Sequence, residues 1–448
     1  MKKKYRLLIA AIVITTWFFS SSCEGPAGPQ GPAGPLFPNL AVEIDLDGPS
    51  AFDLNRGASV LLKAAALTDD PDIEPTNPTL LWEHFDLDSA GMVSINGVSG
   101  FFMVSGNSIE VKALRGGVAT ILVTAIGSGK NPVTQCITIT VVDVSQKISV
   151  IKEMDPWPSG PVIIQTVVTD EPISPVNLYF DNKPITIILK SKSSGDILSL
   201  EGTGSIFTIG EGVTLKLENI TLQGRSDNRA PLVVVETGGT LVMDAGSVIT
   251  NNDNISDATN TAIGGGVLNN GSFTMLSGSN VSNNSANEGG GINNNRGIFN
   301  MEEGALVTGN NAIYGGGVMN IGLEAVFNML GGNITGNEAQ RGGGVLNAMM
   351  SIDPSGTDTV FKMRGGEISG NTATVSGGGI ENLGLGIFLI SKGVIYGTND
   401  PANSNIAPQG AVLLNGEDAI AQSGTFGVDG QFTKTGDLDT TNLTIRLE

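Results

Sequence analysis

Histidine and cysteine are almost missing from this 448-residue chain, which holds one His and two Cys beside 62 Gly. The single histidine is His84, far upstream of the repeats described below. A Ser-His-Asp triad or a histidine metal cluster is therefore excluded from the repeat region. Aromatic residues make up 5% of the chain, and the Phe at repeated positions are needed for the core, so few rings remain to line a sugar groove. Charged residues are 15%, against about 25% in a typical soluble domain. Basic residues number 24 against 44 acidic ones, and the formal net charge of −20 repels nucleic-acid phosphates. Apolar spacing at three and four residues is missing from the repeats, which excludes a helical solenoid. Calcium-binding nonapeptides of the GGxGxD type are missing as well.

Glycine is what the chain has in excess, and it is periodic. Triplets begin at Gly264, Gly289, Gly315, Gly342 and Gly377. Each is followed by an aliphatic residue and, two places on, by Asn: Val267/Asn269, Ile292/Asn294, Val318/Asn320, Val345/Asn347 and Ile380/Asn382. A second element keeps the same beat, with Phe273/Met275, Phe299/Met301, Phe327/Met329, Phe361/Met363 and a weaker Phe388/Ile390. A third reads VSNN, VTGN, ITGN and ISGN from Val281, Val307, Ile334 and Ile368, each with Ala two residues past its last Asn.

Three short β-like pieces per unit, each alternating apolar with polar residues, predict one coil of a parallel β-solenoid. Like residues of successive coils then stack about 4.8 Å apart, Phe on Phe, Met on Met and Asn on Asn. Glycines fit corners that demand positive φ or close backbone approach, and asparagines can bridge coils as an internal amide ladder. The register extends upstream through Leu241–Met243 and Val248–Asn252, then Leu215–Leu217 and Ile220–Gly224, with the Pro231 to Gly239 stretch in the slot of the triplet strand. The solenoid is placed at 146–448, clearest at 215–395, with Pro156 to Pro175 as its opening cap. Insertions near Asn252 and Ala348 are expected to leave the body as loops.

Repeats of GGG[VI]-x-N alternating with F-x-M resemble the glycine-rich β-helix repeats of bacterial surface proteins in the pectin-lyase-like superfamily, including the chlamydial polymorphic outer membrane proteins. The resemblance covers about Leu215 to Ile395 and implies a right-handed parallel β-helix. The motifs are variants of the chlamydial GGA[ILV] and FxxN, and ten-residue alternating strands of a membrane barrel are missing, so self-transport through such a barrel is not expected.

The N-terminus suggests another route. Lys2, Lys3, Lys4 and Arg6 precede LLIAAIVITTWFF and then SSSC, which reads as a lipoprotein signal peptide over 1–22 with Cys23 as the acylated residue. Thirteen apolar residues are short of the roughly 20 that span a bilayer. A cleaved signal or short anchor with an incidental cysteine is the alternative, since Ser20 departs from the usual leucine. Residues 23–39 hold four Gly-x-y triplets, read as a polyproline-type tether rather than a collagen-like trimerisation stalk.

Residues 40–145 alternate apolar and polar residues between Gly, Asn, Asp and Pro turns, which predicts an all-β sandwich. The VSING stretch from Val93 and Ile109 to Ala125 resemble Big-type bacterial Ig-like domains, with Trp82 as a core aromatic. Cys136, beside the alternating Ile137 and Ile139, is expected to be a buried free thiol.

The expected fold class is therefore all-β: an Ig-like sandwich followed by a right-handed parallel β-helix. The β-helix fold hosts polysaccharide-cleaving enzymes, but fold alone does not assign activity. Carboxylate pairs can hydrolyse glycosides without histidine, and Asp181, Asp196, Glu201, Asp244, Glu302 and Glu303 are available. None lies in a catalytic motif, so no catalytic, cofactor or metal residue is assigned. Tyr314 and Tyr396 are candidate contact residues.

The expected function is a non-enzymatic surface lipoprotein, anchored through Cys23 to the outer membrane of a Gram-negative or spirochaete-like bacterium. Its solenoid would contact a host or cell-surface protein or glycan. The alternatives are a polysaccharide lyase or glycoside hydrolase and a purely structural envelope spacer.

Overall fold

A computed structural model describes residues 42–414, apart from 47–48, 69–78, 101–102, 127–131, 194, 256–261, 350–357, 385, 398–401 and 409–411, and also 425–428, 432–433 and 445–447. Residues 1–22, Cys23 and the Gly-Pro tether lie outside the described residues. The chain divides into two units, Met1–Leu54 with Ala58–Val141 and Asn55–Gly57 with Val142–Glu448.

The second unit is a right-handed parallel β-helix. Its described strands form a 19-stranded sheet, a nine-stranded sheet and a five-stranded sheet, in which coil-to-coil pairing is parallel up to the C-terminal strands. Repeated residues face their counterparts one coil away: Phe273 opposes Phe299, Phe299 opposes Phe327, and Phe327 opposes Phe361. Their rings stack with centroids 5.1, 4.7 and 4.5 Å apart, and Phe388 continues the column at 5.0 Å. All five side chains are fully buried. Burial removes each from water at roughly 1.5–3 kcal/mol, and stacking adds about 0.5–1.5 kcal/mol per pair.

A coil of the glycine repeats has one more strand than the three expected. Val267–Asn269, Ser272–Met275 and Asn280–Ser282 are followed by Ser285–Glu288, which pairs with Asn311–Tyr314 in the five-stranded sheet. The fourth strand starts at Asp253–Asn254, inside the insertion expected to be a loop; Ser256 to Thr261 of that insertion lie outside the described residues. Of the second insertion, Ala348 and Met349 belong to the strand Val345–Met349, while 350–357 lie outside.

The fourth strand explains the glycine triplets. The first glycine of each has φ of 63–69°, a left-handed conformation that glycine adopts without steric penalty. The second meets backbone: a Cβ on Gly316 would lie 2.4 Å from the carbonyl oxygen of Glu338, which opens the fourth strand one coil on, and 2.5 Å from that of Gly343. The third is crowded by the next triplet and by a ladder amide, as at Gly317, 2.6 Å from the Gly344 oxygen and 3.0 Å from Asn337 Nδ2.

Asparagines run through the tube in two ladders. Nδ2 of Asn269, Asn294, Asn320 and Asn347 each donates to Oδ1 of the next, ending on Asn382, over 2.6–2.7 Å. The second ladder takes Asn284, Asn310, Asn337, Asn371 and Asn405, where each Oδ1 after the first accepts from both the Nδ2 and the backbone N–H of the residue before. These buried amides give the polar groups of the coil corners partners from within the chain, and buried polar groups require partners.

The N-terminal cap differs from expectation. The helix Val144–Ile151 buries Val144, Ile148 and Ile151 in the same core as the first coils, and Asp143 caps its N-terminus by accepting from the Gln146 N–H. The proline-rich stretch instead supplies Val162–Gln165 and Asp170–Ile173, strands of the first coil. Only an eight-residue apolar pattern marks the helix, too short for periodicity to separate from a strand.

The first unit contains two antiparallel sheets around one core. The first orders its strands Val42–Leu46, Ser59–Thr68, Ser108–Ala113 and Val93–Ile95; the second orders Ala51–Asn55, Val133–Val142, Gly117–Ile126, Thr79–His84 and Met103–Ser105. Trp82 is fully buried and its Nε1 donates to Gly106 O over 2.7 Å. His84 is buried too, with Nε2 3.0 Å from Val93 O; burial lowers its pKa, against two backbone hydrogen bonds that raise it. Cys136 is half-buried on the face opposite Ile137 and Ile139 and is disulfide-bonded, which corrects the expected free thiol.

Candidate functional site

Corners between the nine-stranded and the 19-stranded sheet build a groove of about 990 Å³. Its wall includes Tyr179, Glu211, Glu236, Asn270, Arg296 and Glu324, contributed by successive coils. Strand register fixes their order. Thr214, Thr240, Ser272, Ile298 and Val326 oppose one another coil by coil, so the residues two places earlier, Gly212, Gly238, Asn270, Arg296 and Glu324, form one column.

That column carries an anomaly. Gly212 and Gly238 have φ of 77° and 79°, and Arg296 and Glu324 adopt nearly the same geometry at 63° and 65°. For a side chain bearing a Cβ, left-handed backbone costs about 1–2 kcal/mol. Two long charged residues of opposite sign therefore stand where glycine would be easier. Neither makes an ion pair among the described residues.

Glycines one coil further on give the long side chains their seats. A Cβ on Gly210 would lie 2.3 Å from the Tyr179 ring, one on Gly238 would meet Glu211 Cγ at 2.8 Å, and one on Gly322 would meet Arg296 Cγ at 2.8 Å. Lying across Gly210, Tyr179 reaches two coils along, where its hydroxyl donates to Glu236 Oε1 over 2.8 Å. That hydrogen bond to a carboxylate raises the phenol pKa above its ordinary value. Asn295 Nδ2 donates to Asn270 Oδ1 over 3.0 Å.

The carboxylates weighed as catalytic are not brought together. Asp196 is buried and accepts from the Thr166 hydroxyl and the Lys192 and Ser193 N–H groups; burial pushes its pKa up, but these hydrogen bonds prevail and hold it below the usual value. Asp244 pairs with Lys216 at 2.7 Å and is also held low. Glu201 accepts from Ser174 at 3.4 Å. Asp181 sits in a left-handed turn beside Asn182 at the groove's end, while Glu302 and Glu303 lie at a corner on the other side of the Phe strand. Among the described residues no group of three His, Cys, Asp or Glu could hold a metal ion.

Tyr314 and Tyr396 fall outside the groove. Tyr314, 36% exposed, lies in register between Glu288 and Arg341 on the fourth-strand sheet. Arg341 makes a bidentate contact with the fully buried Glu381, which also accepts from the Ser376 hydroxyl at 2.9 Å. Tyr396 is half-buried, and its carbonyl accepts from Asn405.

The groove residues escaped the sequence reading because they occupy the variable corner, where the repeat shows no shared letter. One signal was legible: Arg296 and Glu324 precede Gly297 and Ala325 at the step where Gly238 precedes Gly239. No protein-family model, no curated protein and no solved structure matches this chain.

Proposed function

We propose that this chain is a non-enzymatic cell-surface lipoprotein, anchored through Cys23, whose β-helix serves adhesion or contact with another macromolecule. The observation that supports this reading most is the contrast between the dispersed carboxylates and the axial groove. Every carboxylate singled out for catalysis either holds structure or stands apart, while the groove runs across several coils, the shape that suits an elongated partner. The first unit's strand order supports an Ig-like spacer: its two sheets follow the ABED and GFC arrangement, extended by Ala51–Asn55 and Met103–Ser105 at the edges.

Metabolic labelling with a clickable palmitate, combined with protease shaving of intact cells, tests the anchor. Label lost on Cys23→Ala, with the solenoid cleaved from outside, is the expected result; a solenoid protected in whole cells contradicts surface display. With two cysteines in the chain, an acylated Cys23 requires the Cys136 disulfide to be made with another molecule, and the non-reduced mass of the Cys136 peptide reads that partner. Release of reducing sugars or unsaturated uronates from a panel of acidic polysaccharides would overturn the non-enzymatic reading.

A further inference from the structure

We infer that the axial groove binds an extended segment of polypeptide, with a basic side chain held between Glu211 and Glu236 and an acidic one on Arg296. This rests on reading the solenoid as an interaction scaffold, and deepens it by naming the ligand.

Spacing supports a polymer lying along the axis. Coils succeed one another at about 4.8 Å, so Glu236 and Arg296, two coils apart, are roughly 10 Å apart along the axis, close to one three-residue turn of a polyproline-type extended chain at about 3.1 Å per residue, in which residues three apart share a face. Asn270 stands on the coil between them and can reach the backbone of such a chain. Charge selects the side chains. Glu211 and Glu236 sit on neighbouring coils at one end, with the Tyr179 hydroxyl on Glu236, and the guanidinium of Arg296 makes no ion pair among the described residues. A segment with a basic residue and an acidic residue three positions apart satisfies both ends.

The walls suit a peptide better than a glycan. One aromatic ring, Tyr179, lines the groove, and its hydroxyl is already engaged by Glu236. An acidic polysaccharide would face three carboxylates, Glu211, Glu236 and Glu324, for one guanidinium. The groove is also formed by substitution in both directions: Gly210, Gly238 and Gly322 make room for Tyr179, Glu211 and Arg296, while Arg296 and Glu324 replace glycine in left-handed backbone. Strain kept at such a place points to use of the side chain.

The test is fluorescence anisotropy on the full chain in detergent. The probes are labelled peptides carrying one Lys and one Glu separated by two uncharged residues, in both chain directions, beside uncharged peptides and labelled neutral-glucan and uronate oligosaccharides. The expected result is salt-dependent binding of a Lys/Glu peptide, weakened at least tenfold by Glu236→Gln and by Arg296→Gly. Arg296→Gly is expected to raise Tm at the same time, because glycine relaxes the corner, so lost binding in that variant cannot come from misfolding. The inference is overturned if the uncharged peptides bind as well, if both variants bind like the parent, or if an oligosaccharide binds more tightly than every peptide. Surface shaving remains independent: a displayed solenoid without peptide binding defeats only this inference, and peptide binding by a protected solenoid defeats only surface display.

Discussion

Two stretches of the β-helix reach the same coil by different chemistry. Between Val162 and Val235 the inward positions are Ile, Leu, Val and two Phe, three strands make a coil, and the corner slot of the later triplets is filled by Ala230, Pro231 and Leu232. From Asp253 onward a fourth strand is inserted, and from Gly264 Asn ladders and a Phe/Met column take over the interior. Register passes through the boundary without a break, since Val233 opposes Val267 and Leu241 opposes Phe273. Stacking thus fixes the fold in both stretches. The fourth strand adds a corner that brings backbone within Cβ distance, and only there does the chain spend three glycines.

The largest effect should come from the ring column. Phe327→Ala is expected to destabilise by about 4 kcal/mol, and Leu215→Ala at the equivalent upstream position by about 3 kcal/mol, the difference reflecting ring stacking lost on both sides of Phe327. Urea unfolding measures both; equal losses would show that stacking adds nothing beyond burial.

Next comes the corner itself. Gly316→Ala should destabilise by about 3 kcal/mol, because its methyl would press on the Glu338 and Gly343 oxygens. A thermal melt showing no change would mean that the fourth strand yields easily. Asn337→Ala should follow at about 2 kcal/mol, since it strands the Asn310 N–H and the Val307 oxygen. Hydrogen exchange should show the loss at Asn310, not in the upstream coils.

Acid separates the two stretches further. Asp196, upstream, titrates below its ordinary 3.8 in the folded protein, so its contribution is present above that value and lost as pH falls through the folded pKa. The Tm gap between parent and Asp196→Asn should therefore narrow on acidification below pH 3.8. Glu288, in the repeats, is raised above 4.5 by burial, so its protonated form is favoured and its contribution is present below 4.5 and lost as pH rises. Glu288→Gln should match the parent in acid and exceed it at neutral pH, and melts across pH 3 to 7 check both signs. The smallest effect is a gain, about 1 kcal/mol for Arg296→Gly, read by the same melts.

The sequence was most legible where it repeats. Triplets, Phe/Met pairs and Asn positions declared their register because each letter answers to a copy one coil away. The alternation of Asn283 with Gly309, Gly336 and Gly370 at one corner has the same source, since all four are left-handed and Asn tolerates that backbone. The fourth strand was hidden because Ser285–Glu288 and Glu338–Arg341 are short and polar, without a β-branched run. The cap helix was hidden by its length. The groove was least legible: Tyr179 and Glu236 are 57 residues apart and meet only once two coils are stacked.

Disulfide trapping of outward-facing register partners tests that stacking most directly. In a Cys136→Ser background, Asn300→Cys with Asn328→Cys should cross-link under mild oxidation, because register partners on adjacent parallel strands fall within disulfide reach. Asn300→Cys with Lys362→Cys, two coils apart, should stay reduced. Cross-linking of the second pair in preference to the first would contradict the coil register on which everything else depends.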